Sequence, residues 1–192
     1  MAKCEIPPKG WMCTREAGHS GPCAAVPADL NDLNQGFRYD TGVTAIFDRL
    51  YLGCFSKAEK LDTFNPWNID RVVNCTKESY KLQSPDLRVI QMNQEDGEAW
   101  DPFKLIHAVD WIQGCLTGGH TVLVHCHAGM SRSPSVVACY LYVCGWDINN
   151  ALDFIHQRRP IVDVAPAIWI SAKRAFGIAP SIGDPMFGGT IQ

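Results

Sequence analysis

The sequence predicts an α/β fold, with a central, mostly parallel sheet of four to five strands flanked by helices. Short apolar runs of strand length alternate with segments of helical periodicity from about residue 43 to residue 178. The most informative unit is an apolar run at 121–125, followed by a short loop and a helical segment. Parallel sheets bind ligands at the carboxyl ends of their strands, so we expect a functional site in that loop.

Four strands and five helices are predicted. The strands are placed at 46–52, 71–75, 88–92 and 121–125, and the helices at 56–61, 102–116, 131–144, 148–157 and 167–175. Asp101 can cap the second helix, whose first residue, Pro102, suits a helix start. Gly118 and Gly119 are expected to end that helix before the next strand, and Asp147 can cap the helix at 148.

Composition narrows the class of protein. The 192 residues are 46% hydrophobic and 19% charged, which fits one globular domain with a small extra module. The net charge of −3 gives no strong attraction to nucleic acid or acidic membranes. No apolar run approaches the roughly 20 residues of a membrane span, and the first residues lack the apolar core of a signal peptide. Nine cysteines, an odd number, favour a reducing cytoplasm over secretion.

The chain divides into four parts by composition. Residues 1–27 are rich in Cys, Gly and Pro, and residues 28–42 are expected to form a polar linker. Residues 43–178 contain the alternating strand-like and helical segments and are expected to form the main domain. Residues 179–192 contain several Gly and Pro residues and are expected to form an irregular tail.

The loop after the fourth strand has the residues of a phosphate-binding nucleophile. From His125 to Ser133 the sequence is HCHAGMSRS, so five residues separate Cys126 from Arg132. A loop between a strand and a helix can turn its amides inward and add the positive end of the helix dipole. Both favour the thiolate of Cys126, which is the reactive form of cysteine. Gly129 allows the positive φ that such a curl needs.

Each neighbour of the nucleophile has an expected role. Arg132 can bind two phosphate oxygens with its planar fork. Ser133 can donate a hydrogen bond to the thiolate when it leaves, and the ring N–H of His125 can fix the geometry of the cysteine. The expected phosphate-binding residues are His127, Ala128, Gly129, Met130, Ser131 and Arg132.

The pattern H-C-x-A-G-x-S-R-S-P at 125–134 resembles the signature of the dual-specificity branch of the protein tyrosine phosphatase superfamily. The resemblance runs from about Thr44 to Gly177. Residues 46–53 and 70–75 are similar to the first two strands of that branch, and residues 151–160 to its penultimate helix and exit. The resemblance implies a protein tyrosine phosphatase-like fold and a hydrolase with a phosphocysteine intermediate that needs no cofactor for catalysis.

The resemblance also implies a general acid. In the family an aspartate on a mobile loop, about thirty residues before the cysteine, protonates the leaving oxygen. Here that loop is 93–101, and Asp96 lies thirty residues before Cys126. Gly97 suits a hinged loop, so Asp96 is the expected acid. Glu95 is the alternative, because the loop can be one residue shorter than usual, whereas Asp101 is better explained as a helix cap.

We therefore expect a protein phosphatase that acts on phosphotyrosine and also on phosphoserine or phosphothreonine. Its partner is a phosphorylated protein, with no membrane or nucleic acid involved. Two alternatives stay open: a phosphatase of RNA 5′-phosphates or small phosphate esters, and a phosphate-binding module without turnover. The RNA alternative needs a basic approach to the pocket, which the sequence does not display.

The first 27 residues contain a candidate zinc site. Cys4, Cys13, His19 and Cys23 provide four soft ligands within twenty residues, enough for a tetrahedral zinc ion. The alternative is an arm with reduced cysteines and no metal. The segment resembles short Cys/His-rich openings of bacteriophage-encoded proteins, which would place the protein in a host cytoplasm, and it can also recruit a protein partner.

Two further positions are open to more than one interpretation. Tyr80 is either an ordinary loop tyrosine or a ring that stacks on phosphotyrosine. Many relatives carry a Pro-Asn pair after the Arg159-Pro160 motif to support the catalytic loop, and this chain has none. Asp163 is the candidate substitute.

Overall fold

The computed structural model describes residues 42–181 and 184 in full, and the backbone of residues 11–13 and 25–27. Strands β1 (Trp11–Cys13) and β2 (Ala25–Pro27) form an antiparallel pair. Of the four predicted zinc ligands, Cys4, His19 and Cys23 lie outside the described residues, and only the backbone of Cys13 is described. Residues 28–41 of the predicted linker also lie outside them.

The predicted α/β fold is confirmed, with five strands in the main sheet. In chain order these are β3 (Val43–Phe47), β4 (Leu50–Cys54), β5 (Arg71–Asn74), β6 (Arg88–Gln91) and β7 (Val122–Cys126). Their spatial order is β3-β4-β7-β5-β6. Only the β3–β4 pair of this sheet is antiparallel. The central position of β7 places its carboxyl end between two neighbouring strands.

The two faces of the sheet are covered differently. Val122 and Val124 of β7 belong to the larger core with the helices, and Leu123 between them belongs to a smaller core on the other face. The larger core contains residues of α2 (Pro102–Thr117), α3 (Arg132–Val143), α4 (Ile148–Arg158) and α5 (Pro166–Ala175). On the other face, α1 (Phe55–Ala58) and irregular segments cover the sheet. Because β7 is buried on both faces, its residues 122–124 are all apolar rather than alternating with polar ones.

Two predicted elements were wrong in extent. The single strand predicted at 46–52 is a hairpin, in which a turn at Asp48 and Arg49 separates β3 from β4. The turn depends on the left-handed conformation of Arg49 (φ 62°), which a non-glycine residue rarely adopts. The sequence does not show this conformation, and the apolar residues on both sides of the turn therefore fitted one strand. The helix predicted at 56–61 is the single turn α1, because Cys54 makes no side-chain cap and turns follow from residue 59.

The predicted helix ends are confirmed. Asp101 accepts hydrogen bonds from the amides of Phe103 and Lys104 and caps α2, Gly118 ends it, and Asp147 caps α4 in the same way. Among the described residues, none of the helices combines the length and apolar character needed to cross a bilayer.

One tail residue is buried against α5. Asp184 is 2% exposed, and its Oδ1 lies 2.7 Å from Nζ of Lys173, which is 1% exposed. The indole N–H of Trp169 and the amide of Ser181 also donate to this carboxylate. The ion pair therefore holds the chain after α5 to the domain.

Candidate active site

The site begins where β7 ends. Cys126 is the last residue of β7, and Arg132 is the first of α3, so residues 127–131 form the connecting loop. Gly129 sits in the middle of the loop with φ +74°. A Cβ atom there would lie 2.6 Å from the carbonyl oxygen of Gly53, so the position accepts only glycine without movement of the backbone.

The thiol of Cys126 is surrounded by donors. The Gly129 amide donates to Sγ at 3.2 Å, and the Ser133 hydroxyl donates to it at 3.3 Å. Burial alone raises the pKa of the Cys126 thiol. The hydroxyl and amide of Ser133, the charge of Arg132 and the amide of Ser131 outweigh burial, so the pKa lies below its usual value. The reactive thiolate therefore persists to lower pH than that of an ordinary cysteine.

Replacing Ser133 by alanine removes the largest contribution that lowers this pKa. We expect the pKa of Cys126 to rise, so that iodoacetate alkylation of this thiol begins at higher pH than in the wild type. The measurement is the pH dependence of the alkylation rate at Cys126. The exposed Ser79, changed to alanine, is the control and should leave the midpoint in place. An unchanged midpoint in Ser133→Ala would contradict the assignment.

The guanidinium of Arg132 is buried, and its Nε has no hydrogen-bond partner. The residue is 5% exposed, and its Nη1 donates to the carbonyl oxygen of Gln94 at 3.0 Å. Its Nε lies 3.1 Å from Oδ1 of Asp96 but makes no hydrogen bond, since the oxygen lies off the N–H direction. A buried donor without an acceptor is costly, and a phosphate oxygen is a suitable ligand for it.

The two candidate acids occupy different surroundings. Asp96 is 74% exposed at its side chain and lies beside Arg132. Glu95 pairs with Lys77 at the surface. Gly97 follows with φ +75°, which turns the chain away after Asp96. The geometry therefore favours Asp96 over Glu95 as the group that reaches a phosphate at Arg132.

Buried side chains hold both ends of the loop 93–101, which contains Asp96. The side-chain amide of Gln94, which is 5% exposed, donates to the carbonyl oxygens of Glu98 at 2.9 Å and Ala99 at 3.2 Å. At the other end, the indole N–H of Trp100 donates to the Ser135 hydroxyl at 2.9 Å. The loop between these anchors is thus held at the mouth of the site.

His125 and Tyr80 form a chain of hydrogen bonds that ends at the backbone of Cys126. The Nδ1–H of His125 donates to the carbonyl oxygen of Cys126 at 3.2 Å, which leaves Nε2 to accept from the Tyr80 hydroxyl at 2.8 Å. Burial lowers the pKa of His125 to about 4, so the ring is neutral at physiological pH. The Tyr80 ring also packs edge-on against Phe55. Tyr80 therefore positions His125 and is not free to stack on a substrate ring.

Arg159 holds the back of the catalytic loop. Its Nε donates to the carbonyl oxygen of Gly129 at 2.9 Å, Nη2 to that of Ala128 at 3.0 Å, and Nη1 to Oγ1 of Thr44 at 2.9 Å. Asp163 also contributes, but through its backbone amide, which donates to the carbonyl oxygen of Met130 at 2.9 Å.

The sequence did not predict the supporting roles of three of these residues. The positions of Gln94, Tyr80 and Arg159 depend on contacts with residues 30 to 45 positions away in the chain. Arg159 alone had a signal, because it belongs to the Arg-Arg-Pro motif at 158–160.

An open pocket of about 440 Å³ collects most of the predicted site residues. Its lining includes the predicted nucleophile, acid and phosphate-binding residues Asp96, Cys126, His127, Ala128, Met130, Ser131 and Arg132. Ser133, His125 and Gly129 are buried around the pocket rather than in its wall. A thiol, a guanidinium and a carboxylate thus converge in one cavity.

The family model described as "Dual specificity phosphatase, catalytic domain" matches residues 50–171, from β4 into α5. This chain belongs to the dual specificity phosphatase family. In this phosphatase domain, the matched region contains the loop 93–101, the loop 127–131 and Arg159. The family needs no cofactor for catalysis.

Curated relatives include longer phosphatases. Human dual specificity protein phosphatase 5 is 32% identical over 135 residues, which cover 68% of this chain and 35% of that protein. Protein-tyrosine-phosphatase IBR5 of Arabidopsis thaliana is 30% identical over 121 residues, which cover 62% of this chain and 45% of that protein. This phosphatase chain therefore spans less than half the length of either relative.

Solved structures share the fold. The crystal structure of DUSP15 has a TM-score of 0.62 and 25% identity, and the match covers 71% of this chain and 88% of that chain. The crystal structure of human DUSP28 has a TM-score of 0.58 and 19% identity, and covers 70% of this chain and 92% of that chain. The second likeness shows the fold alone.

Proposed function

We propose that this protein hydrolyses phosphotyrosine, and also phosphoserine and phosphothreonine, in proteins through a phosphocysteine at Cys126. The observation that carries the proposal is the shared cavity. It contains a thiol with a lowered pKa, a buried Arg132 Nε–H without an acceptor, and the carboxylate of Asp96 beside that arginine.

In the first step, the Cys126 thiolate attacks phosphorus in line with the leaving oxygen. The S–P bond forms as the P–O bond breaks, and Asp96 donates its proton to the leaving oxygen. Arg132 and the amides of the catalytic loop bind the equatorial oxygens, on which charge accumulates in the transition state. These groups are already placed by β7, α3 and Arg159, so little reorganisation is needed.

In the second step, water attacks the phosphocysteine. Asp96, now ionised, accepts a proton from that water, and the S–P bond breaks to release inorganic phosphate. The Ser133 hydroxyl, 3.3 Å from Sγ, donates to the departing thiolate and makes it a better leaving group. The two steps use one acid–base residue in opposite directions.

The relatives support a phosphorylated protein as the substrate, since the human and plant proteins are named as protein phosphatases. A phosphate-binding module without turnover would have no need of an acid held beside the phosphate site. The arrangement of Asp96, Arg132 and Ser133 around Cys126 therefore supports turnover over binding alone.

We place this activity in a reducing cytoplasm, because the nucleophile must stay a free thiol. The six cysteines whose side chains the structure describes are all free. We also propose that the chain consists of a Cys/His-rich segment (1–27), a linker (28–42), the phosphatase domain (43–178) and an irregular tail (179–192).

We propose a structural zinc ion on Cys4, Cys13, His19 and Cys23, in a segment that recruits a protein partner. Metal analysis of the full chain purified without chelator should find one zinc, and should find none in the Cys4→Ser/Cys23→Ser variant. A metal-free wild type would remove the zinc proposal.

The activity is tested by hydrolysis of p-nitrophenyl phosphate in chelator and reductant, with and without vanadate. We expect vanadate-sensitive turnover in the wild type and none in Cys126→Ser, which keeps the fold but lacks the thiolate. Cys139→Ser is the matched control, because that cysteine is buried in α3 away from the pocket lining. Equal turnover in Cys126→Ser and the wild type would exclude the mechanism.

A further inference from the structure

The mouth of the catalytic pocket carries more negative than positive side chains. Its charged lining residues are two cations, Lys77 and Arg132, and four carboxylates, Glu78, Glu95, Asp96 and Asp163. This is an unusual lining for a cavity that receives a phosphate dianion, since like charges repel. The pattern indicates a role for the carboxylates other than phosphate binding.

Neither cation at the pocket is available to a substrate's flanking residues. Lys77 is paired with Glu95, which neutralises both side chains. Arg132 is only 5% exposed and lies at the floor. Asp96 lies 3.1 Å from the guanidinium of Arg132 and is the acid of the proposed mechanism. Glu78 and Asp163 remain as two exposed carboxylates, and we call this pair the acidic rim.

The position of the phosphate fixes what the acidic rim faces. Arg132, whose Nε has no hydrogen-bond partner, lines the same pocket, and we expect the phosphate to bind to this guanidinium beneath the rim. Hydrogen bonds from its own amide and from Thr76 lower the pKa of Glu78. The charges of Arg132 and His127 contribute to the same lowering, so both side chains lie near Glu78. The chain that carries the phosphate must therefore pass near Glu78 and Asp163.

We propose that the acidic rim selects phosphorylated segments with arginine or lysine beside the phosphorylated residue, and disfavours acidic or multiply phosphorylated ones. The proposal rests on the proposed function, because it concerns the substrates of the same pocket. Complementary charge at a solvated rim changes the rate at which enzyme and substrate associate more than it changes the rate of the chemical step. The preference weakens as salt screens these exposed charges.

The test compares two phosphotyrosine peptides of equal length, one with flanking arginines and one with flanking glutamates. The readout is the ratio of their kcat/KM values for each protein, so that any general loss of activity cancels. For the wild type at low salt we expect the basic peptide to be favoured on the order of 3- to 10-fold. The ratio should approach one in Glu78→Gln/Asp163→Asn and should invert in Glu78→Lys/Asp163→Lys.

Asp153→Asn is the matched control, because Asp153 is an exposed carboxylate on α4 outside the pocket lining. It should keep the wild-type ratio. The proposal for the acidic rim would be overturned if the wild-type ratio of basic to acidic peptide were one or below. It would also be overturned if both rim variants kept the wild-type ratio. Hydrolysis of p-nitrophenyl phosphate, which has no flanking residues, separates the two proposals. Its absence overturns the proposed function, whereas its presence without a peptide preference overturns the acidic rim alone.

Discussion

Asp96→Asn is expected to slow the hydrolysis of substrates with poor leaving groups by roughly 10²- to 10⁴-fold. The amide keeps the shape of the carboxyl group but has no proton to donate to the leaving oxygen. Phosphoserine and phosphotyrosine peptides, whose leaving oxygens are basic, should show the full loss. The formation of phosphoenzyme from p-nitrophenyl phosphate should be much less affected, because p-nitrophenolate leaves without help.

Glu95→Gln is the matched control for this prediction. Glu95 is one residue away on the same loop, but its carboxylate is paired with Lys77 at the surface. Its loss should change kcat on phosphoserine peptide by no more than a few-fold, with no change in leaving-group dependence. If Asp96→Asn kept its activity while Glu95→Gln lost it, the general acid would be Glu95.

The second large effect concerns stability. Asp184→Asn leaves Lys173 charged and buried without its partner, and removing one member of a buried ion pair costs about 3–5 kcal/mol. The Nζ of Lys173 has two oxygens of Asp184 within 3.0 Å in the native protein. We expect a matching fall in the free energy of unfolding, measured by urea denaturation followed by tryptophan fluorescence.

Two further variants make this prediction specific. Lys173→Met/Asp184→Asn removes both charges and should recover part of the loss, since the apolar stem of methionine fits a site that lysine already fills. Asp153→Asn, an exposed carboxylate on α4, should stay within about 0.5 kcal/mol of the wild type. If Asp184→Asn were as stable as the wild type, the Lys173–Asp184 ion pair would not hold the chain after α5 to the domain.

The same pair gives a pH dependence with a defined sign. Burial raises the pKa of Asp184, but the hydrogen bonds from Lys173, Ser181 and Trp169 outweigh it and hold the pKa below its usual value. A carboxyl group with a lowered folded pKa stabilises the protein above its unfolded pKa, about 3.9 for aspartate. This contribution is lost as the pH falls below that value, and Asp184→Asn should lack it.

The sequence was sufficient for the α/β architecture and for its parallel strands, and it predicted most of the residues that line the pocket. The strand at 121–125 was predictable because its residues 122–124 are all apolar, as expected where a strand is buried on both faces. The spacing of Cys126 and Arg132 was informative because a short loop between a strand and a helix can bring both groups to one phosphate. These are local relations, which a sequence displays directly.

The features that the sequence did not predict depend on backbone conformation or on contacts between distant segments. The apolar positions on both sides of Arg49 fit one long strand, and only the left-handed backbone at Arg49 reveals the hairpin. Tyr80 reaches His125, and Arg159 reaches Gly129, across the folded domain. Asp163 was the candidate substitute for the missing asparagine, and it contacts the loop through its backbone amide, which any residue but proline provides.

The central claim is that phosphate passes through Cys126, and trapping the phosphoenzyme tests it most directly. Asp96→Asn protein is mixed with p-nitrophenyl phosphate, quenched within milliseconds, and mapped by peptide mass spectrometry. This variant forms the phosphocysteine but hydrolyses it slowly, because it lacks the base that activates water. The account predicts stoichiometric phosphate on the peptide that contains Cys126. Continued turnover with phosphate on another residue, or on none, would contradict it.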